Sequence, residues 1–303
     1  MKIYIKGTFT PIGDVKITVA NSEREAITYK TNSITISEES GEITAIKPQE
    51  ITPAEYIYVK DKENTLPRNE QFEDYLVNQY QAVRVILGYI QVFDGVFKLD
   101  TELRMQSKYE WSEDLDKWSP IPDKRVTTWR GANLLQTLPD RFMGNIEQLA
   151  NSGIPVFLAF NHLYKAYDEG SSRFKWINGT IAAEHAFKEF LSLFDPRTES
   201  LMLNIPSPPI EKLYKTVLFA YTGKESSMYK QLQRGAGKRN ELVHKPATPA
   251  PDMSETNIYL HQVEVAIFEL YTLLYPGNPF LNYALKGAQE RLKHVEEGGQ
   301  YFS

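Results

Sequence analysis

The sequence predicts an α+β protein: an antiparallel, β-rich N-terminal region followed by a C-terminal helical bundle. Three observations carry that expectation. Over the first sixty residues apolar side chains recur at every second position. From Asn69 they recur at every third and fourth, and from about residue 138 nearly every segment repeats that second pattern. At 303 residues the chain is long enough for two domains. The change of period places them at 1–135, a β-rich region with one long helix, and 136–303, the helical part.

Each element follows from its local pattern. Ile3 and Ile5 alternate with Lys2, Tyr4 and Lys6, and Val15, Ile17 and Val19 alternate with lysine and threonine, as strands with one wet face do. AITYKTNSITIS, EESG and EITAI read in turn as a hairpin with a glycine-containing turn. Tyr56-Ile57-Tyr58-Val59 reads as a further short strand. Phe72, Leu76, Tyr80, Val83, Leu87 and Ile90 define a long amphipathic helix over 69–93. In the region 100–130, LRMQSKYEW has the composition of a strand and SEDLDKWSPIPDK that of a loop. Trp111, Trp118 and Trp129 gather there and suit packing or a domain contact better than ligand stacking.

The helical half is punctuated by its own start and stop residues. DRFMGNIEQLANSG, PVFLAFNHLYKAYDE and WINGTIAAEHAFKEFLSLF come first. SPPIEKLYKTVLFAYTG enters on Ser-Pro-Pro and leaves on Gly223. YKQLQRGAGKRNELVHK is broken off by PATPAPD, with Pro246 placing His244 at the helix end. SETNIYLHQVEVAIFELYTLLYPG, with Ser254 as its expected N-cap, and PFLNYALKGAQERLKHVEEG complete the chain.

Composition excludes several functions. The formal net charge of −5 argues against a broad nucleic-acid-coating surface. Charge is nonetheless concentrated: residues 224–245 hold six cations (Lys224, Lys230, Arg234, Lys238, Arg239, Lys245) against two anions (Glu225, Glu241). The absence of cysteine removes disulfides, thiolate metal sites and cysteine nucleophiles. His162, His185, His261 and His294 form no pair at metal-ligand spacing on one helix face, so neither metal nor cofactor is expected. RGAGKRN lacks the upstream glycine and the Ser or Thr of a phosphate loop. No Gly-x-Ser-x-Gly is present. The N-terminus turns polar too early for a signal peptide and no apolar run spans a bilayer, so a cytoplasmic protein is the expectation.

What remains is Arg239-Asn240-Glu241-Leu242-Val243-His244. On a helix Asn240 and His244 stand one above the other and Arg239 points to the flank. Cations here also complement the negative end of the helix dipole, a purely structural use. The segment resembles the HEPN family of helical nuclease and nucleotide-binding domains, whose signature is Arg, a polar residue, three further residues and His, late in a bundle. The upstream helix Ala182-Ala183-Glu184-His185-Ala186-Phe187-Lys188-Glu189-Phe190 is similar to that family's earlier helix, which often carries an acidic residue. The resemblance covers residues from about 140 to 285.

The resemblance implies a HEPN-like bundle and a metal-independent endoribonuclease acting on RNA as a homodimer with a composite site, in bacterial anti-phage defence or stress. Arg239, Asn240 and His244 would be catalytic, with Lys238, Lys245 and Glu184 contributing to substrate binding. Histidine suits a base for the 2′-hydroxyl because it titrates near working pH, and arginine binds phosphate oxygens without losing charge. Residues 1–135 would sense a ligand or regulatory partner. Pro246 stands where some members carry a tyrosine that a partner transferase modifies, which disfavours that pairing. Two other functions compete. One is a non-catalytic HEPN module binding a nucleotide or partner protein; the other is an adaptor whose sheet edge recruits a strand.

Overall fold

The computed structural model describes residues 1–10, 15–19, 26–37, 41–61, 66–67, 69–93, 106–121, 134–138, 141–198, 208–245 and 247–299. The chain forms two compact units. One comprises Met1–Gln91 and Lys98–Ile154, the other Val92–Phe97 and Pro155–Ser303.

The first unit is built on a six-stranded sheet in the order β3-β4-β5-β1-β6-β7. Its strands are β1 (Lys2–Thr10), β3 (Ile27–Tyr29), β4 (Asn32–Ile36), β5 (Ile43–Glu50), β6 (Gln106–Ser112) and β7 (Ser119–Pro120). Every pairing in it is antiparallel, with central β1 aligning Ile5 to Lys47 of β5 and to Trp111 of β6. β2 (Val15–Val19) and β8 (Leu134–Leu138) form a separate parallel pair. The expected alternation holds in β1, where Ile3, Ile5 and Phe9 are buried and Tyr4, Lys6 and Thr8 are half-buried.

Two sequence expectations change here. AITYKTNSITIS is itself a hairpin: Tyr29 pairs with Asn32 around Lys30 and Thr31, both at positive φ (45° and 64°). This is the backbone that Asn-Gly turns adopt. Asn32 supports it by donating from its amide to the carbonyls of Tyr29 and Lys30. Gly41, at φ 65°, serves the next connection, from β4 to β5. The second change is at Tyr56–Val59, which is helix and not strand, within α1 (Pro53–Lys60). Thr52 and Glu55 form a capping box with Pro53 in the first turn, and those start signals override the β-propensity of YIYV.

The long helix is present as α2 (Glu70–Phe93), with Phe72, Leu76, Val83, Leu87 and Ile90 buried. It lies close on the sheet. Buried Gln79 donates to the carbonyls of Ile5 (3.0 Å) and Ala45 (2.6 Å), and a Cβ at Gly7 would fall 2.9 Å from the Gln79 Oε1. Trp111 is buried edge-on to Tyr56, and Trp118 is half-buried beneath the Lys6 ammonium; Trp129 lies outside the described residues.

The first unit runs past the expected boundary at 135. Helix α3 (Arg141–Asn151) is held to β3, with Glu147 accepting from the Thr28 N–H and the Asn151 amide donating to the Thr28 carbonyl. The same bonds occupy the β3 edge, and β7 at the other edge is two residues long. These two edges are poor templates for an added strand.

The second unit is helical: α4 (Ala159–Asp168), α5 (Ser172–Phe194), α6 (Ile210–Lys212), a π-helical turn (Leu213–Val217), α7 (Leu218–Thr222), α8 (Tyr229–His244), α9 (Met253–Leu274) and α10 (Pro279–Glu296). α9 is its spine, with Leu260, Val263, Val265, Ala266, Ile267 and Phe268 fully buried. Gly223 ends α7 at φ 72°, as expected. The N-cap of α9 is Asp252 and not Ser254: the Asp252 carboxylate accepts from the Ser254 N–H at 2.7 Å. The α+β class is thus observed.

Candidate functional site

The candidate site sits at the C-terminal end of α8, and its geometry begins at the other end of that helix. Glu269 of α9 accepts from the Ser226 hydroxyl and from the N–H and hydroxyl of Ser227, just before the first turn. The RGAG segment, which lacks the residues of a phosphate loop, is helix interior. Gly235 is buried where any Cβ would lie 2.2 Å from the Tyr259 ring, and its carbonyl accepts from the Trp176 indole N–H at 2.9 Å. Trp176 stacks on Tyr259 at 4.3 Å, so α5, α8 and α9 meet at a glycine because nothing larger fits.

One turn later comes Arg239, four residues after Gly235 and three before buried Leu242. It therefore lies on the inward row of the helix, to the flank of the exposed Asn240–His244 row. Its residue is half-buried, and its Nε is fully buried with no hydrogen-bond partner among the described residues. Nη1 turns outward and donates to the Asn240 Oδ1 at 3.2 Å. Asn240 and His244 are both exposed on one face at i,i+4 spacing, as the sequence implied. No hydrogen bond joins His244 to either Arg239 or Asn240, so Asn240 orients the arginine and not the imidazole. The helix ends at His244, and Lys245 leaves it at φ −124°, ψ 89°. Pro246 lies outside the described residues.

The other expected site members distribute unevenly. Lys245 is exposed beside His244, and Lys238 is half-buried. Glu184 is not gathered with them. It lies on α5 near Tyr214 and Tyr259, whose hydroxyls are held above their ordinary pKa by burial first and by the Glu184 charge among lesser causes. It is eleven residues, about 16 Å of helix, beyond Arg173, the residue of α5 that touches the α8 end. Glu184 and Lys188, four residues apart on α5, form no ion pair.

Long-range pairing supplied three features that spacing along one helix concealed. Arg173 donates from Nη1 to the Leu242 carbonyl at 2.6 Å and from Nη2 to the Thr248 carbonyl. His162 of α4 and His185 of α5 meet edge to face with ring centroids 4.7 Å apart. Burial lowers both imidazole pKa values, and the His185 and Lys165 charges add to the effect at His162 as the Lys188 charge does at His185. Finally, Tyr167, His261, Glu264 and Arg291 form a buried polar cluster. The Glu264 carboxylate is reached by the Arg291 Nη2 at 2.6 Å and lies 3.1 Å from the His261 Nδ1.

Among the described residues no three His, Asp or Glu side chains gather as a metal site, and no helix is long and apolar enough to cross a membrane. No family model, curated protein or solved structure matches the chain.

Proposed function

We propose that the protein is a metal-independent endoribonuclease whose reacting groups are His244 and Arg239. The observation that carries the reading is the end of α8, where a guanidinium hydrogen-bonded to Asn240 lies five residues, about a turn and a half, before an exposed imidazole within a locally basic segment. His244 takes the proton of a ribose 2′-hydroxyl, and that oxygen attacks the adjacent phosphorus. The P–O5′ bond breaks and water protonates the departing 5′-oxygen, leaving a 2′,3′-cyclic phosphate and a 5′-hydroxyl, while His244 returns its proton to solvent. Arg239 offsets the charge developing on the phosphoryl oxygens. A second copy of the chain would complete the site, and RNA of a phage or of the stressed cell is the proposed target.

One observation favours a second reading, a non-catalytic module that binds a nucleotide or partner protein. Within one chain nothing hydrogen-bonded among the site residues orients His244, whereas Arg239 is held. A phosphate clamp needs the arginine alone.

The two readings separate in one experiment. Purified protein is incubated with labelled RNA in EDTA beside Arg239→Ala and His244→Ala. The ribonuclease loses about 100-fold or more of its rate in either variant, with EDTA harmless and a cyclic phosphate on the product. Cleavage that vanishes with EDTA, or that persists undiminished in His244→Ala, refutes the mechanism. Nucleotide affinity lost in Arg239→Ala but kept in His244→Ala, without cleavage, establishes the clamp.

A further inference from the structure

A helix that stops must find partners for its last carbonyls, since no further turn supplies N–H groups. At the end of α8 the Glu241 carbonyl is taken by the Lys245 N–H at 2.9 Å. The next carbonyl, that of Leu242, is taken by Arg173 of α5, 69 residues earlier in the chain. The second nitrogen of the same guanidinium donates to the Thr248 carbonyl at 2.5 Å, and the Thr248 N–H returns to the Lys245 carbonyl at 2.9 Å. A single planar group thus ties together the helix end and the chain leaving it, with His244 and Lys245 between the two tied points. A cation placed there also meets the negative end of the helix dipole.

We propose that Arg173 is a positioning residue: it fixes the exit of α8 and through it the place of His244. The inference rests on the ribonuclease reading. Both Nη atoms are aimed at main-chain carbonyls, so Arg173 holds the backbone that carries the base and does not contact the phosphate. The geometry calls for arginine in particular. Two acceptors on different segments match two donors in a rigid fork, whereas a lysine ammonium is a single point charge on a flexible stem. Displacing a catalytic group by an ångström costs on the order of 100-fold in rate, so loosening this exit acts on turnover rather than on RNA affinity.

The test compares wild type with Arg173→Ala and Arg173→Lys, using the full chain and labelled RNA in EDTA, with hydrogen exchange read over residues 241–251. In Arg173→Ala, exchange in that segment accelerates about 10-fold or more while α9 and α10 keep their protection. Its kcat falls roughly 10- to 100-fold with KM within about two-fold, and Arg173→Lys recovers part of the loss. A raised KM with unchanged kcat overturns the proposal, because the arginine then contacts RNA. Unchanged exchange overturns it too, as does faster exchange with full turnover. Should Arg173→Ala not fold, Arg173→Lys carries the same comparison: reduced kcat at constant KM supports it and wild-type turnover refutes it. If wild type cleaves no RNA, the ribonuclease reading falls alone, and the exchange measurement still decides whether Arg173 holds the α8 exit.

Discussion

Gly235 and Gly237 sit two residues apart in α8, and substituting each by alanine should move stability in opposite directions. Alanine exceeds glycine in helix propensity by about 1 kcal/mol, a gain common to both sites. At Gly237 nothing lies within 4 Å of the added Cβ, so the gain of roughly 0.5–1 kcal/mol is kept. At Gly235 the Cβ falls 2.2 Å from Cε2 and Cζ of Tyr259, more than an ångström short of ordinary contact. The ring has little room to yield. It is buried, stacked on Trp176, and its hydroxyl is 2.9 Å from the Thr180 hydroxyl. Overpacking of a fixed core costs about 1–3 kcal/mol and sometimes more. A contact this short belongs at the upper end, for a net loss of about 2 kcal/mol. The two variants then differ by about 3 kcal/mol, or about 1.5 M in urea midpoint at an m-value near 2 kcal/mol/M. Urea unfolding followed by far-ultraviolet circular dichroism measures this, since the second unit supplies most of the helix. Equal midpoints, or two stabilised variants, would refute the packing of α8 on Tyr259.

Two further outcomes follow from the same unit. Asp252→Ala should lower its stability by about 1 kcal/mol and Ser254→Ala by less than about 0.5 kcal/mol, read as urea midpoints; the reverse order would restore Ser254 as the cap of α9. Glu264 should contribute to the acid limb. Burial pushes its carboxyl up, but the Arg291 charge and then His261 outweigh burial and hold it below the ordinary carboxylate value. A depressed folded pKa contributes stability that is complete above the unfolded value of about 4.3 and is lost as pH falls through the folded one. Glu264→Gln should therefore cost about 2–3 kcal/mol at neutral pH by leaving the half-buried Arg291 against a neutral amide, with a flatter decline in acid. A variant as stable as wild type, or one with the same acid slope, would contradict the pairing.

Legibility followed the distance along the chain over which each feature is decided. The helix over 69–93 was readable because its burial repeats within the segment itself, and so was the alternation of Ile3 and Ile5. Where two local signals compete, the shorter one can dominate: Thr52 and Glu55 start a helix that the β-branched and aromatic run after them would not choose. The turn at Lys30 and Thr31 carries no glycine, and Asn32 supplies its support from outside the turn. Local spacing correctly stacked Asn240 over His244. It could not see that Arg239 faces inward, because the inward direction is set by Tyr259 and Trp176 against Gly235, from elements tens of residues away.

The residues of the motif are visible in the sequence, and their support is not. A histidine at a helix end is a property of six consecutive residues, but a helix end is only a site if something holds it. That support comes from Arg173, whose acceptors Leu242 and Thr248 lie 69 and 75 residues further on. The buried cluster of Tyr167, His261, Glu264 and Arg291 is likewise assembled from three helices. Neither leaves a periodic trace, since one arginine early in α5 is indistinguishable in sequence from any solvated first-turn cation. The inward turn of Arg239 also sharpens the chemistry. Its Nε is already desolvated while Nη1 stays at the rim on Asn240, so an arriving phosphate would meet a cation on which burial has begun to raise the strength of charge interactions. His244, by contrast, is exposed, and on the proposed ribonuclease reading it would gain its environment only when RNA or a second chain covers it. Turnover should therefore be more sensitive than phosphate binding to whatever closes over α8, which is the asymmetry that separates the Arg239 and His244 variants.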